Sequence, residues 1–287
     1  MAPINCITSY CASMAHGLEH KLFFLEHLPE LEALLDWGCA DGTLLAEVRK
    51  QRPEILLLGH DTDERMVDQA VAKFDGLEWN KKATIWEDAP SALEALRFTA
   101  EWAYRGRKVP FSEPARQYGG TGILFSSVLH EMYTHGTSAQ MRQHWKDVAA
   151  TGVDYIVIRD MFWGPQGDYL LSEYPTPYCQ FIKWIAKGTH SAQLTEFNAS
   201  LPCGESTMEA RIATEYLLKY PFVENWEREL EEIYFALPDL RPVLAPLGYE
   251  PVYWNHHCPD FIQERIKKDT SIDIPFNTHL SAIFRRK

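Results

Sequence analysis

Three places in the chain bring together residue types that could do chemistry. At 36–42, the pattern Asp36-x-Gly38-x-Ala40-x-Gly42 sets small residues behind an acid, and Asp61 follows nineteen residues beyond Gly42. Glycines in such a turn let the backbone come close to a partner, and a helix starting near Thr43 would present its N-terminus there. An acid at the position of Asp61 can accept both hydroxyls of a ribose. Further on, His130-Glu131 forms a pair able to hold or move a proton, and Arg159-Asp160 sets a cation beside a carboxylate.

The elements that must position these residues are legible as short apolar runs at 33–38, 55–61, 83–88, 122–128 and 154–161, with helical patterns between them. Continuous apolar strands alternating with helices predict a parallel sheet covered on both faces. Each chemical pair then falls at the C-terminal end of a strand. Met66, Val67, Ala70, Val71 and Phe74 mark one buried helical face, with acidic caps at 61–63. Met141, Trp145 and Val148 mark another, with Gly152 as its stop.

Later segments depart from this alternation. Pro90, Pro110, Pro114 and Gly119-Gly120 predict a loop-rich excursion over 89–120. A segment rich in Pro and Tyr begins at Gly164 and leads into two helices. One opens with a capping box, Ser206 to Glu209, and the other, over 222–235, buries Trp226, Leu230, Ile233 and Tyr234. Strand-like runs at 248–254 and 278–284 close the chain. With no internal repeat or Gly/Ser linker, the expectation is a single domain over 1–287 with insertions at about 89–120 and 164–240.

Several chemistries fail on spacing. A P-loop needs Lys and then Ser or Thr directly after its last glycine, but Gly42 is followed by Thr43-Leu44. The dinucleotide fingerprint loses its third glycine at Thr43, and Asp36 sits badly beside a pyrophosphate. Asp36 suits a ligand that is cationic at that point. His130 and His135 are five apart rather than the four of the helical zinc signature. His256, His257 and Cys258 are adjacent, so they point to alternate sides of an extended chain. No metal is expected.

The pattern from Asp36 to Gly42, with Asp61 ending the next strand, resembles the first motif of the class I S-adenosylmethionine (SAM) dependent methyltransferases. The resemblance spans roughly 16–164 and 240–287. It implies an α/β fold, a Rossmann-like seven-stranded, mostly parallel sheet with an antiparallel C-terminal hairpin and a helical insertion. It also implies SAM as cofactor: Asp36, Gly38, Ala40, Gly42, Asp61 and Thr62 would surround its amino-acid and ribose portions. Glu87 or Asp88 would meet the adenine amino group, and Ser126 would lie beside the methyl donor. His130, Glu131 and Asp160 become candidates for proton handling, although His130 reads equally well as a capping or packing residue. Tyr133, Arg159 and Trp163, with Phe162, would wall the acceptor site, and the insertion at 164–240 would cover it. Ala40 replaces a glycine, which is tolerated if its φ stays negative. Whether Cys39 faces ligand or core is open.

Composition narrows the partners. A formal charge of −12 disfavours broad contact with a nucleic-acid backbone. The expected acceptor, of O or N type, is therefore a small molecule first and a nucleic acid second. Lys267-Lys268 and Arg285-Arg286-Lys287 read as solvated surface. Six cysteines without a CxxC pair, no span of ~20 apolar residues and no leader pattern fit a cytoplasmic chain without a membrane partner. The oligomeric state is not encoded. The readings of another class are a nicotinamide-dependent oxidoreductase and a non-catalytic nucleoside-binding module.

Overall fold

A computed structural model describes residues 17–77, 83–105, 120–162, 168–170, 207–209, 237–270 and 277–287. All seven apolar runs become strands: β1 (Leu31–Trp37), β2 (Leu56–His60), β3 (Ala83–Trp86), β4 (Gly120–Ser126), β5 (Tyr155–Met161) and, after a ribbon of β6 (Asp168–Leu170) and β7 (Thr207–Glu209), β8 (Tyr249–His257) and β9 (His279–Arg286). The helices are α1 (Leu18–Lys21), α2 (Phe24–His27), α3 (Thr43–Gln51), α4 (Glu64–Phe74), α5 (Ala89–Arg105), α6 (Leu129–His135), α7 (Ser138–Ala150), α8 (Arg241–Leu244) and α9 (Asp260–Thr270).

Seven strands form one sheet in the order β3-β2-β1-β4-β5-β9-β8. The pairs from β3 to β5 are parallel, as strands joined by helical crossovers must be. β9 runs the other way: Arg286 N donates to Asp154 O before β5, and Phe162 N after β5 donates to Thr278 O. β8 is in turn antiparallel to β9, with Lys287 N bonded to Gly248 O and Thr278 N to His257 O. The order reverses between β1 and β4, which opens a crevice at their carboxyl ends.

Chain contacts divide the molecule into two compact units, one of 1–5, 161–237 and 256–280, the other of 6–160, 238–255 and 281–287. The second holds β1 to β4, β5 up to Asp160, and the glycine turn. Its core packs Phe24, Leu34, Leu45, Leu57, Leu124, Val157 and Ile283 against one another, all buried.

Helix details refine the sequence reading. In α4 Asp63 caps Arg65 N, and Met66, Ala70 and Phe74 are buried. Val71, expected on that face, is 50 % exposed, because a stripe facing a sheet needs only the i, i+4, i+8 row. Thr137 and Gln140 form a full capping box for α7, whose Met141, Trp145 and Val148 are buried, and Gly152 follows with φ +78°. Pro90 does not mark a loop: it is the second residue of α5, where the missing N–H would have had no intrahelical partner. The expected capping box at Ser206 to Glu209 is likewise corrected. Thr207, Met208 and Glu209 pair with Leu170, Tyr169 and Asp168, so a partner strand takes the backbone groups that a helix would have used. The helix expected over 222–235 lies outside the described residues. Among the described residues, no helix is long and apolar enough to cross a membrane.

Candidate functional site

The turn after β1 is held by its own backbone. Gly38 N and Cys39 N both donate to His60 O at 2.7 and 2.9 Å, Gly42 N to Cys39 O at 2.9 Å, and Thr43 N to Asp41 Oδ1 at 3.1 Å. Ala40 N donates to Asp61 Oδ2 at 2.8 Å, so the acid at the end of β2 closes the turn. A phosphate-gripping loop works by aiming such N–H groups outward. Here they are consumed inside the protein, and the residue of β1 that lines the crevice is the carboxylate Asp36.

The two glycines answer to protein neighbours. Gly38 has φ +78°, and a Cβ there would lie 2.8 Å from Val128 Cγ2 in the loop after β4. Gly42, at φ +73°, would bring a Cβ to 3.1 Å from Ala70 Cβ on α4. Ala40 departs from expectation: its φ is +46°, in the left-handed region, and its N–H is the one that Asp61 accepts. Cys39 is buried in the core cluster, and its Sγ would lie 3.0 Å from a Cβ on Gly59. Burial pushes its thiol well above the usual range.

Asp41 was not singled out from the sequence. It is buried, accepts from Thr43 Oγ1 at 2.8 Å and Lys73 Nζ at 2.7 Å, and so ties the turn to α4. Burial alone would raise its pKa, but these hydrogen bonds outweigh burial and lower it.

A recess at the carboxyl ends of β1 and β4 is lined by Lys21, Asp36, Gly38, Ala40 and Ser126, among others. Asp36 is buried and its Oδ1 has no hydrogen-bond partner. Burial raises its pKa to about 7, opposed by the charge of Lys21 and reinforced by that of Asp61. Ser126 is buried with an unpartnered Oγ. Lys21 was missed by sequence reading, yet a signal was present: it sits at i+3 from Leu18 and i−4 from Leu25, on an otherwise apolar stripe. Asp61, half-buried just after β2, also accepts from Asp63 N through Oδ1 at 2.9 Å, and each of its oxygens has a second lone pair.

The other predicted residues separate into groups. Asp160 is fully buried; its Oδ2 accepts from Val128 N, Leu129 N and His130 N at 3.1, 2.7 and 3.3 Å, which caps α6. Its Oδ1 lies 2.5 Å from His130 Nδ1, and Glu131 Oε1 lies 4.0 Å from His130 Nε2. The sequence pair and the distant acid are thus brought together. Arg159 is buried and donates from Nη1 to Ser127 Oγ at 2.7 Å. Tyr133 turns its hydroxyl to Trp145 Nε1, from which it accepts at 2.8 Å. Thr62, Glu87 and Asp88 are exposed, and Asp88 Oδ1 accepts from Ser91 N, capping α5. Trp163 lies outside the described residues. His256 packs on Phe162 and His257 on His279, ring against ring. Among the described residues, no group of three His, Cys, Asp or Glu side chains is arranged to hold a metal.

No family model matches the sequence, and no curated protein does. Solved structures to which the chain is similar include a SAM-dependent methyltransferase from Mesorhizobium loti, at 14% identity and TM-score 0.48, covering 94% of this chain and 100% of that one. Another is a SAM-dependent methyltransferase from Archaeoglobus fulgidus, at 14% identity and TM-score 0.45, covering 94% and 92%. A third is magnesium protoporphyrin IX methyltransferase from Synechocystis with bound SAM, at 11% identity and TM-score 0.43, covering 99% and 86%. Likenesses at this level carry no argument of their own, so the assignment rests on strand order and direction. The Rossmann-like seven-stranded sheet ending in an antiparallel pair, which the class I methyltransferase resemblance implies, is the fold of this chain.

Proposed function

We propose that the chain is a SAM-dependent methyltransferase acting on an O or N atom of a small molecule. The observation that carries this reading is Asp36, a buried carboxylate with an orphaned Oδ1 facing a recess at the switch point of the sheet. A buried acceptor without a partner is costly unless a ligand supplies a donor, and an ammonium is the donor that also answers the charge. A pyrophosphate there would meet a carboxylate and a turn whose N–H groups are already spent.

The residues present fit SAM. Asp36 would take its ammonium, Asp61 the ribose hydroxyls, and Ser126 would lie beside the donor portion. When bound, the cofactor supplies an activated methyl group on a cationic sulfur. The protein's own task is then to align the acceptor and accept its proton. We assign proton handling to His130, whose ring Asp160 holds through Nδ1. An acidic chain favours a small acceptor over a nucleic acid, whose binding draws on displaced counterions.

Thermal melting with SAM, S-adenosylhomocysteine and NAD(P) tests the cofactor. The sulfur compounds should raise the melting temperature and NAD(P) should not. The reverse result would install the oxidoreductase reading. Labelled SAM incubated with fractionated small molecules and RNA then tests the acceptor; label on RNA alone would replace the small molecule by a nucleic acid. Cofactor binding without labelled product from either fraction would favour the non-catalytic binding module.

A further inference from the structure

Lys73 stands in the last turn of α4, where a cation already suits the carboxyl end of a helix. Its ammonium also reaches another element: Nζ donates to Asp41 Oδ2 at 2.7 Å and to Thr43 Oγ1 at 2.5 Å. Thr43 in turn donates to Asp41, from Oγ1 to Oδ2 at 2.8 Å and from N to Oδ1 at 3.1 Å. The three side chains close a ring at the outer end of the glycine turn, and Lys73 and Asp41 lie thirty-two residues apart in sequence. Asp41 and Thr43 both line the recess, and Lys73 reaches them from α4.

The turn needs such a hold. Gly38, Ala40 and Gly42 have φ of +78°, +46° and +73°, so alternate residues are left-handed, which is unfavourable for the alanine. Asp61 holds the inner end through Ala40 N. At the outer end α4 presses close, since a Cβ on Gly42 would lie 3.1 Å from Ala70 Cβ and 3.3 Å from Phe74 Cε2. Without Lys73, the buried Asp41 would lose the cation bonded to it, which favours turning its carboxylate to water and away from Thr43 N. The Lys73 side chain is 31 % exposed, so breaking the pair weighs less on the fold than breaking a fully buried one.

We propose that Lys73 is a positioning residue for the cofactor: acting through Asp41 and Thr43, it holds the glycine turn in the form that binds. The choice of ligand rests on the methyltransferase reading; the ring of hydrogen bonds does not. Affinity follows the fraction of molecules whose turn is competent, so a turn that is competent about a tenth of the time binds ~tenfold more weakly.

Calorimetric titration with S-adenosylhomocysteine compares the full chain with Lys73→Met, Lys73→Arg, Asp41→Asn and the double variant Asp41→Asn/Lys73→Met. Lys73→Met should weaken binding roughly tenfold, and Lys73→Arg, which keeps the charge, should regain part of the loss. The double variant should bind no more weakly than Lys73→Met, because both residues act through one ring. Arg65→Met, which breaks the Arg65–Asp63 ion pair on the same helix, should leave affinity unchanged. Affinity in Lys73→Met within about twofold of the unaltered chain overturns the proposal, as do losses that multiply in the double variant. Failure of every adenosyl compound to bind the unaltered chain sinks the methyltransferase reading instead. Amide exchange in the free chain then decides the role of Lys73 alone. Thr43 N–H should exchange about tenfold faster in Lys73→Met, while Gly38 and Cys39 N–H, bonded to His60 O, keep their rates. An unchanged Thr43 rate overturns the proposal. Melting curves check that each variant is folded, and Asp41→Asn, which should also weaken binding, carries the comparison if Lys73→Met is not.

Discussion

Asp160 and His130 are joined at 2.5 Å through Oδ1 and Nδ1, while the second oxygen of the same carboxylate caps the helix that carries His130. One side chain thereby fixes both the position of α6 and the orientation of the imidazole. The partners come from elements thirty residues apart, β5 and the start of α6.

This double role separates two variants. His130→Ala should leave S-adenosylhomocysteine affinity within about twofold and slow turnover by roughly 10²–10⁴, the usual scale for loss of a general base. Asp160→Ala should also destabilise the fold by roughly 3 kcal/mol, because buried N–H groups at the head of α6 lose their acceptor. Chemical denaturation and initial rates measure the two effects; full turnover in His130→Ala would return this histidine to a packing role.

Asp36 should make ligand binding depend on pH. Burial pushes the Asp36 carboxyl up to about 7 in the folded chain, against an ordinary value of 3.8. The folded state then binds more protons than the unfolded one between these values, so Asp36 lowers the stability of the free protein as pH rises through that window. A ligand ammonium needs the ionised form. Affinity for S-adenosylhomocysteine should therefore fall about tenfold per unit below pH 7, while methylthioadenosine, which has no ammonium, should show no such slope. Asp36→Asn should abolish the slope; equal slopes for both compounds would disprove the assignment.

Ala40 offers a stabilising substitution. Its φ of +46° costs an alanine ~1–2 kcal/mol, of which glycine's extra unfolded-state freedom returns ~0.5–1 kcal/mol. Ala40→Gly should thus raise stability by about 0.5–1 kcal/mol, a gain of a few degrees in Tm at most for a chain of this size. A lowered Tm would mean that the turn relaxes without cost.

Gly38→Ala should do the opposite. The added methyl would meet Val128 Cγ2 at 2.8 Å in a left-handed residue, and we expect a loss of about 2–3 kcal/mol. Shortening the neighbour in Gly38→Ala/Val128→Ala should recover the steric part alone. A double variant that adds the two single costs without recovery would show that the contact is not what forbids a side chain.

The fold was legible because each strand carries its own signal. ILLLGHD and DYIVIRDM are short, largely apolar and set between helical patterns, which marks them as strands whichever strands they pair with. The misreadings were equally local. Pro90 reads as a breaker unless the helix start is known to fall one residue before it, and Ser206 to Glu209 reads as a cap unless a partner strand is known. In the site, Asp36 and Asp61 stood out by type and spacing, and Arg159-Asp160 by being charged at the end of an apolar run. Lys21 did not, because a lysine in LEHKLFFLEHL looks like a solvated helix residue until its burial is seen.

The sequence by itself determined which segments are strands, where the tight turn falls and which acids stand at strand ends, since these depend on neighbours along the chain. Only the tertiary structure decided that the turn spends its N–H groups on His60 and Asp61, that Val128 leaves no room for a side chain at Gly38, and that Lys21 and Ser126 line the same recess as Asp36. The physical reason is register: a local apolar period says that a residue faces inward, but strand order and offset set which inward-facing residue it meets.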